Sequence, residues 1–234
     1  MATTNIREHR GYGQAVLDRL AGTPIPPMLK PSVTAFTKTH GAYDAAAVLT
    51  DSARAKRDLA LDLIGDIDDT FDIGANGLAD KVVGAGLGKR QSPFAGLSKH
   101  SPSQLVSLPY AEEPKAIRAL ITALQKKNPP AEVKKAIARC LKDATALEGA
   151  LGKLTQPQAA FAKAIATRDA LLPAWTKALR SLKRQAAAVW DEDEATYKAV
   201  FAPVGAVQAP KKKTKKTPAK KAGSDTGGAP GQPG

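Results

Sequence analysis

Residues 132–201 read EVKKAIARCLKDATALEGALGKLTQPQAAFAKAIATRDALLPAWTKALRSLKRQAAAVWDEDEATYKAVF, and this stretch decides the fold. Its apolar side chains recur at spacings of three and four from the start, at Val133, Ile137 and Leu141. That spacing places them on one face of an α-helix, and such a stripe has to be buried against other helices. The stretch therefore predicts a long helical arm over 131–202.

Three features punctuate this arm. Pro157 is compatible with a fresh helix start, because proline is tolerated in a first helical turn. Pro173 lies in an unbroken apolar pattern and predicts a kink. The acidic run 191–194 predicts either a solvated patch or a loose break before the last apolar residues.

A second long arm is predicted over 33–83. Its apolar positions again recur at helical spacing, and glycines at 41, 65, 74 and 77 interrupt it. Each glycine costs about 1 kcal/mol relative to alanine inside a helix. They indicate either tight helix crossings or a break near Gly74.

The whole chain predicts an all-α fold, an elongated antiparallel helical bundle of two long arms and two shorter helices. The predicted segments are an N-terminal helix with a proline-rich connector (1–31), the bundle (32–205) with its loop (84–110) and short helix (112–127), and a disordered Lys/Pro/Gly-rich tail (206–234). An offset of 118 residues matches the arms without a gap, for example Val33 with Leu151 and Ile64 with Leu182. The hypothesis is a pseudo-duplicated helical unit.

Charge is distributed unevenly around a total of +13. Residues 42–84 hold nine aspartates and four basic residues, whereas residues 115–184 hold fifteen basic and four acidic residues. We expect the acidic flank of one arm to lie near the basic flank of the other. Single exposed pairs contribute only about 0–1 kcal/mol, but together they would select which helices pack.

Each motif that could indicate a catalytic or metal-binding site lacks a residue that the motif requires. Asp66-x-Asp68-x-Thr70-x-Asp72 starts like a calcium loop but has Phe71 where glycine is needed. The residues Gly84–Lys89 lack the remaining glycine and hydroxyl of a phosphate loop. None of the histidines (His9, His40, His100) has the glutamate spacing of a di-iron bundle, and Cys140 has no neighbouring base. The sequence therefore predicts no enzyme, no cofactor and no metal site.

The compartment follows from what the sequence lacks. It contains no apolar run long enough for a membrane span, and its first residues carry no apolar secretory core. The lone Cys140 fits a reducing environment. We expect a cytoplasmic protein without membrane contact, or a nucleoid-associated one if the tail binds DNA.

The tail is strongly cationic. Residues 209–222 are rich in lysine, alanine and proline, and the candidate polyanion-binding residues are Lys211, Lys212, Lys213, Lys215, Lys216, Lys220 and Lys221. In composition this segment resembles the tails of linker histones and of bacterial histone-like proteins. The resemblance implies salt-dependent, non-specific phosphate contacts. A merely solubilising terminus is the alternative interpretation.

Two main functional hypotheses follow. The first is a non-catalytic helical scaffold or protein-interaction protein, which binds a protein partner or self-associates through its helical faces. The second is a nucleic-acid-associated architectural protein that uses the tail. A third hypothesis is a ligand carrier with a pocket at Leu172, Trp175 and Leu179 near Pro173.

Overall fold

The protein is all-α over residues 2–204, which are the residues that the computed structural model describes, with side chains from residue 8 onward. The helices in this range are α1 (Ala2–Ala21), α2 (Lys30–Gly84), α3 (Pro102–Leu105), α4 (Glu113–Gln125), α5 (Ala131–Val189) and α6 (Glu194–Val200), and a 3-10 turn (Pro27–Leu29) precedes α2. The predicted all-α class with two long packed arms is confirmed. The tail and its seven candidate lysines lie outside the described residues.

The molecule is organised by the antiparallel pair α2 and α5. These helices have 55 and 59 residues, so each is about 80–90 Å long at 1.5 Å per residue. The start of α2 packs with the end of α5, and the end of α2 packs with the start of α5. The result is a helical hairpin whose two ends carry the shorter helices.

Helix α2 continues without a break past Gly74. Pro31 lies in its first turn, where a missing N–H is tolerated. Gly74 is buried, and a Cβ there would lie 2.9 Å from Oδ2 of Asp143 on α5. The tight crossing is therefore correct at Gly74, whereas a Cβ at Gly41, Gly65 or Gly77 would meet nothing within 4 Å, and the break near Gly74 is wrong.

Helix α5 also differs from the expected arm over 131–202. It runs through Pro157 and Pro173, so neither proline ends or restarts it. It ends at Val189, and a separate helix α6 follows the acidic run. Asp193 caps α6, because its side chain accepts a hydrogen bond from the N–H of Thr196 at 3.1 Å. The loose break was the correct interpretation of this run.

The core is divided between the two ends of the hairpin. The tip cluster joins the end of α2 and the start of α5 to the loop and α4, and it includes Phe71, Leu78, Phe94, Leu105, Ile117, Leu120, Leu124 and Val133. The base cluster joins α1 and α6 to the other ends of the arms, and it includes Val16, Leu20, Phe36, Tyr43, Trp175, Leu182, Val200 and Phe201. Between them the buried cluster is only Ile64, Leu147 and Ala150. The middle of the molecule is therefore a two-helix segment with little core.

Two sequence inferences bear on this architecture. An offset of 118 residues aligns residues 72–75, which lie inside the continuous helix α2, with residues 190–193, where the chain is not helical between α5 and α6. The duplication stays a hypothesis.

In the part of the chain that the structure describes, every helix is too short or too polar to cross a membrane.

Candidate functional site

A pocket of three carboxylates lies where α4 meets α2. Asp68 and Asp72 are one turn apart on α2, so both face the same neighbour. Glu113 is the first residue of α4, and the apolar face of α4 packs into the tip cluster through Ile117 and Leu120. One carboxylate oxygen from each residue lies within 4.8 Å of the other two. We call this set the carboxylate pocket.

The negative charges of the carboxylate pocket lack ion-pair partners and a full set of hydrogen-bond donors among the described side chains. Glu113 is only 1% exposed. A buried oxygen of each member, Oδ1 of Asp68, Oδ1 of Asp72 and Oε2 of Glu113, has no hydrogen-bond partner. Among the ion pairs of residues 8–204, none involves these three carboxylates. Burying unpaired carboxylates is costly, so the pocket calls for a proton or a cation.

Burial and neighbouring charge shift the proton affinity of the pocket. Burial, the hydrogen bond that Glu113 can make with Asp68 once one of the two carboxyls carries a proton, and the charges of Asp68 and Asp72 raise the pKa of Glu113 to about 8. Burial and the charges of Asp68 and Asp69 raise the pKa of Asp72 to about 6. Both directions mean that the fully ionised pocket is unfavourable without a positive charge inside it.

A second unusual feature lies in the two-helix middle. Large apolar side chains of α2 are exposed there, with Leu59 at 71% and Leu63 at 49%. At about 100° per residue they share one side of α2 with Leu49, Lys56 and Ile73. We call this side of the hairpin the central face; its residues are Leu49, Ser52, Lys56, Leu59, Leu63 and Ile73 on α2, and Lys153, Gln156, Ala160 and Lys163 on α5.

The α5 half of the central face is built from small and basic residues. A shallow groove runs between the helices, lined by Leu49, Ala53 and Lys56 on one side and by Gln156 and Ala160 on the other. Such small side chains leave room for the side chains of another helix.

The charges of the two arms do not neutralise each other within one chain. Between α2 and α5 the ion pair found among the described side chains is Lys81 with Glu132 at 4.0 Å, which has the opposite sense to that expected. Arg10 of α1 instead pairs with Asp44 and Asp51. The expectation that α2 aspartates meet α5 basic residues inside the hairpin is therefore wrong. Asp62, Asp66 and Asp69 remain exposed beside the central face.

His40 and Cys140 lie in packed surroundings, whereas His9 and His100 are half-buried. His40 is 3% exposed and accepts a hydrogen bond from Nε1 of Trp175 at 3.1 Å. Trp175 also packs against Phe36 and Tyr43, which fills the region considered for a ligand pocket. Burial raises the pKa of the Cys140 thiol to about 11, which disfavours a nucleophilic thiolate.

Sequence reasoning missed the carboxylate pocket. The calcium-loop pattern around Asp68 could not reveal the pocket, because residues 66–72 lie in helix α2 and not in a loop, and because the third carboxylate, Glu113, is distant in the sequence. The available signal was the spacing of four between Asp68 and Asp72.

Comparison of the chain with family models, curated proteins and solved structures found no match.

Proposed function

We propose that the protein is a non-catalytic helical scaffold that self-associates through its central face. The observation that supports this most directly is the exposure of Leu59 and Leu63 in a segment where only two helices are packed. Two helices bury too little apolar surface for an independent core, and a second hairpin completes a four-helix bundle. A protein partner other than a second copy is the competing occupant.

The charges favour a second copy. The exposed aspartates flank the α2 half of the central face, and Lys153 and Lys163 lie on its α5 half. Placing α2 of one copy against α5 of the other brings opposite charges together, whereas placing α2 against α2 brings like charges together. The favoured twofold axis therefore runs along the hairpin, with both tips at the same end.

The size of the face is adequate for a stable contact. From Leu49 to Ile73 the helix rises about 36 Å, and two helices side by side are about 20 Å wide. Each copy would bury roughly 700 Å², which gives a total within the usual range of specific interfaces.

Light scattering on the purified full-length protein tests the proposal. We expect a dimeric mass for the wild type. The double variant Leu59→Glu/Leu63→Glu places charges in the contact and should give a monomer, while keeping its helical circular dichroism, because both side chains are exposed in the single chain. Met28→Glu is the matched control, since Met28 is 80% exposed but lies on the 3-10 turn away from the central face. A monomeric wild type across a wide concentration range would refute self-association.

A second candidate function is non-specific nucleic-acid binding. It is favoured by the seven lysines at 211–221 and by the basic residues of α5, which stay free of α2 carboxylates. Fluorescence anisotropy with duplex DNA should then show binding at about 50 mM salt that weakens steeply towards 200 mM. A variant lacking 209–234 should lose most of this affinity. Absence of binding by the full-length protein at low salt would eliminate this candidate.

A further inference from the structure

We propose that Asp68, Asp72 and Glu113 form a binding site for one hard divalent cation, and that calcium fits it best. The proposal goes beyond the scaffold function and does not depend on it. It starts from two observations at the junction of α2 and α4: each of the three residues has a buried oxygen without a hydrogen-bond partner, and one carboxylate oxygen of each lies within 4.8 Å of the other two.

The nearly complete burial of Glu113 is the observation that separates this pocket from an ordinary acidic surface. Acidic side chains are rarely fully buried unless they are paired. Glu113 is 1% exposed, and its Oε2 has no hydrogen-bond donor in the structure. The side chain is therefore placed where a bound cation, a shared proton or an ordered water has to satisfy it.

The separations of the oxygens are compatible with one shared cation. A cation bound to two oxygens at 2.3–2.6 Å, the usual range for calcium, spans oxygens up to about 5 Å apart. The three oxygens lie within 4.8 Å of one another, which meets this limit. Magnesium demands near-ideal octahedral geometry and gives up its water reluctantly, so a site built from only three carboxylates of two helices favours calcium. The all-oxygen ligand set also disfavours zinc and copper, which prefer nitrogen and sulfur.

The protein supplies only part of the coordination. Calcium takes about six to eight oxygens, and water would fill the remaining positions on the side where Asp68 and Asp72 are partly exposed. With three carboxylates and no dedicated loop, we expect a dissociation constant of about 10⁻⁵–10⁻³ M. The bound ion would hold the first turn of α4 against α2 and so stabilise the tip of the hairpin.

The test uses the full-length protein after treatment with a chelator. Calorimetric titration with calcium chloride should show one site per chain, and the thermal unfolding midpoint should rise by several degrees at saturating calcium. Magnesium chloride should bind at least tenfold more weakly. Both calcium effects should disappear in Glu113→Gln and in Asp72→Asn. They should persist in Asp80→Asn, which removes an exposed carboxylate of α2 outside the pocket.

Two results would overturn the site. The first is a wild type that shows neither heat nor a change in unfolding midpoint at millimolar calcium; the pocket would then hold a shared proton only. The second is calcium binding that Asp72→Asn and Glu113→Gln leave unchanged. If Glu113→Gln does not fold, Asp72→Asn decides the question, since Asp72 lies on α2 and is partly exposed.

Discussion

Replacing Gly13 by alanine should destabilise the base of the hairpin, although alanine is the better helix former. Gly13 lies on α1 against α2, and a Cβ there would lie 2.4 Å from Nδ1 and 2.5 Å from Cε1 of His40. His40 cannot easily move, because it is buried, stacks on Phe36 at 5.8 Å between ring centroids, and accepts the Trp175 hydrogen bond. The new methyl group must therefore displace either α1 or the imidazole.

The magnitude follows from three contributions. Overpacking a close contact costs about 1–3 kcal/mol. Leaving the indole N–H of Trp175 unpaired costs about 1–3 kcal/mol, and the better helix propensity of alanine returns at most about 1 kcal/mol. Gly11→Ala is the matched control, since a Cβ at Gly11 meets nothing within 4 Å. Both variants gain the same helix propensity, so we expect Gly13→Ala to be less stable than Gly11→Ala by about 2–6 kcal/mol.

Urea unfolding followed by tryptophan fluorescence is the appropriate assay, because Trp175 and Trp190 both lie in the base cluster. Far-ultraviolet circular dichroism reports the whole molecule in parallel. In a His40→Ala background the methyl group has room, so the penalty of Gly13→Ala should largely vanish in a double-mutant cycle. Equal stability of Gly13→Ala and Gly11→Ala, or an unchanged penalty in the His40→Ala background, would refute the reasoning.

Three further predictions concern pH, the middle and the thiol. Burial lowers the pKa of His40, and its Nδ1 must be unprotonated to accept the Trp175 hydrogen bond; at this residue the unfolded state therefore binds more protons, and the contribution of His40 to stability should fall as pH drops below about 6.5. The raised pKa of Glu113 acts in the opposite direction, so the measurement is the difference in urea midpoint between the wild type and His40→Ala, which should shrink as the pH falls. A His40→Ala variant that keeps the same dependence would contradict this assignment. Leu147→Ala should lower the free energy of unfolding by about 2–4 kcal/mol, because Leu147 is fully buried in the small middle cluster. Leu61→Ala, at a side chain that is 42% exposed, should lower it much less. Similar urea midpoints for the two variants would argue against that cluster. The pKa of Cys140 is raised to about 11. The thiol should therefore resist a thiol reagent at pH 8 in the folded protein and react at once in denaturant. Rapid labelling of the folded protein would contradict this prediction.

Much of the architecture could be predicted from the sequence, because a helix encodes its buried side in a local period. The spacings beginning at Val133 were sufficient for α5, and those beginning at Val33 for α2. The continuity of α2 past Gly74 could not be predicted, since it depends on Asp143 filling the space opposite that glycine. Nothing in a single sequence places Asp143 there.

The carboxylate pocket was hidden for a related reason. Glu113 looks like an ordinary acidic residue at a helix start, where the helix dipole favours negative charge. Its burial arises only because α4 folds back onto α2, bringing it beside Asp68 and Asp72.

The opposite charges of the two long arms were visible in the sequence, but they were assigned to contacts within one chain. In the structure Asp62, Asp66 and Asp69 are exposed instead.

The junction of the two termini has a consequence for how the protein could act on a long polyanion. The hydroxyl of Tyr12 donates to the carbonyl of Phe201, and Arg19 donates to the carbonyls of Val200 and Ala202, so the chain reaches Val204 at the base of the hairpin. In an assembly with its twofold axis along the hairpin, both cationic segments start from the same end. In that proposed assembly, phosphate contacts made by both segments would bind one polyanion bivalently with a high effective concentration, at a distance of about 80 Å from the opposite end of the hairpin.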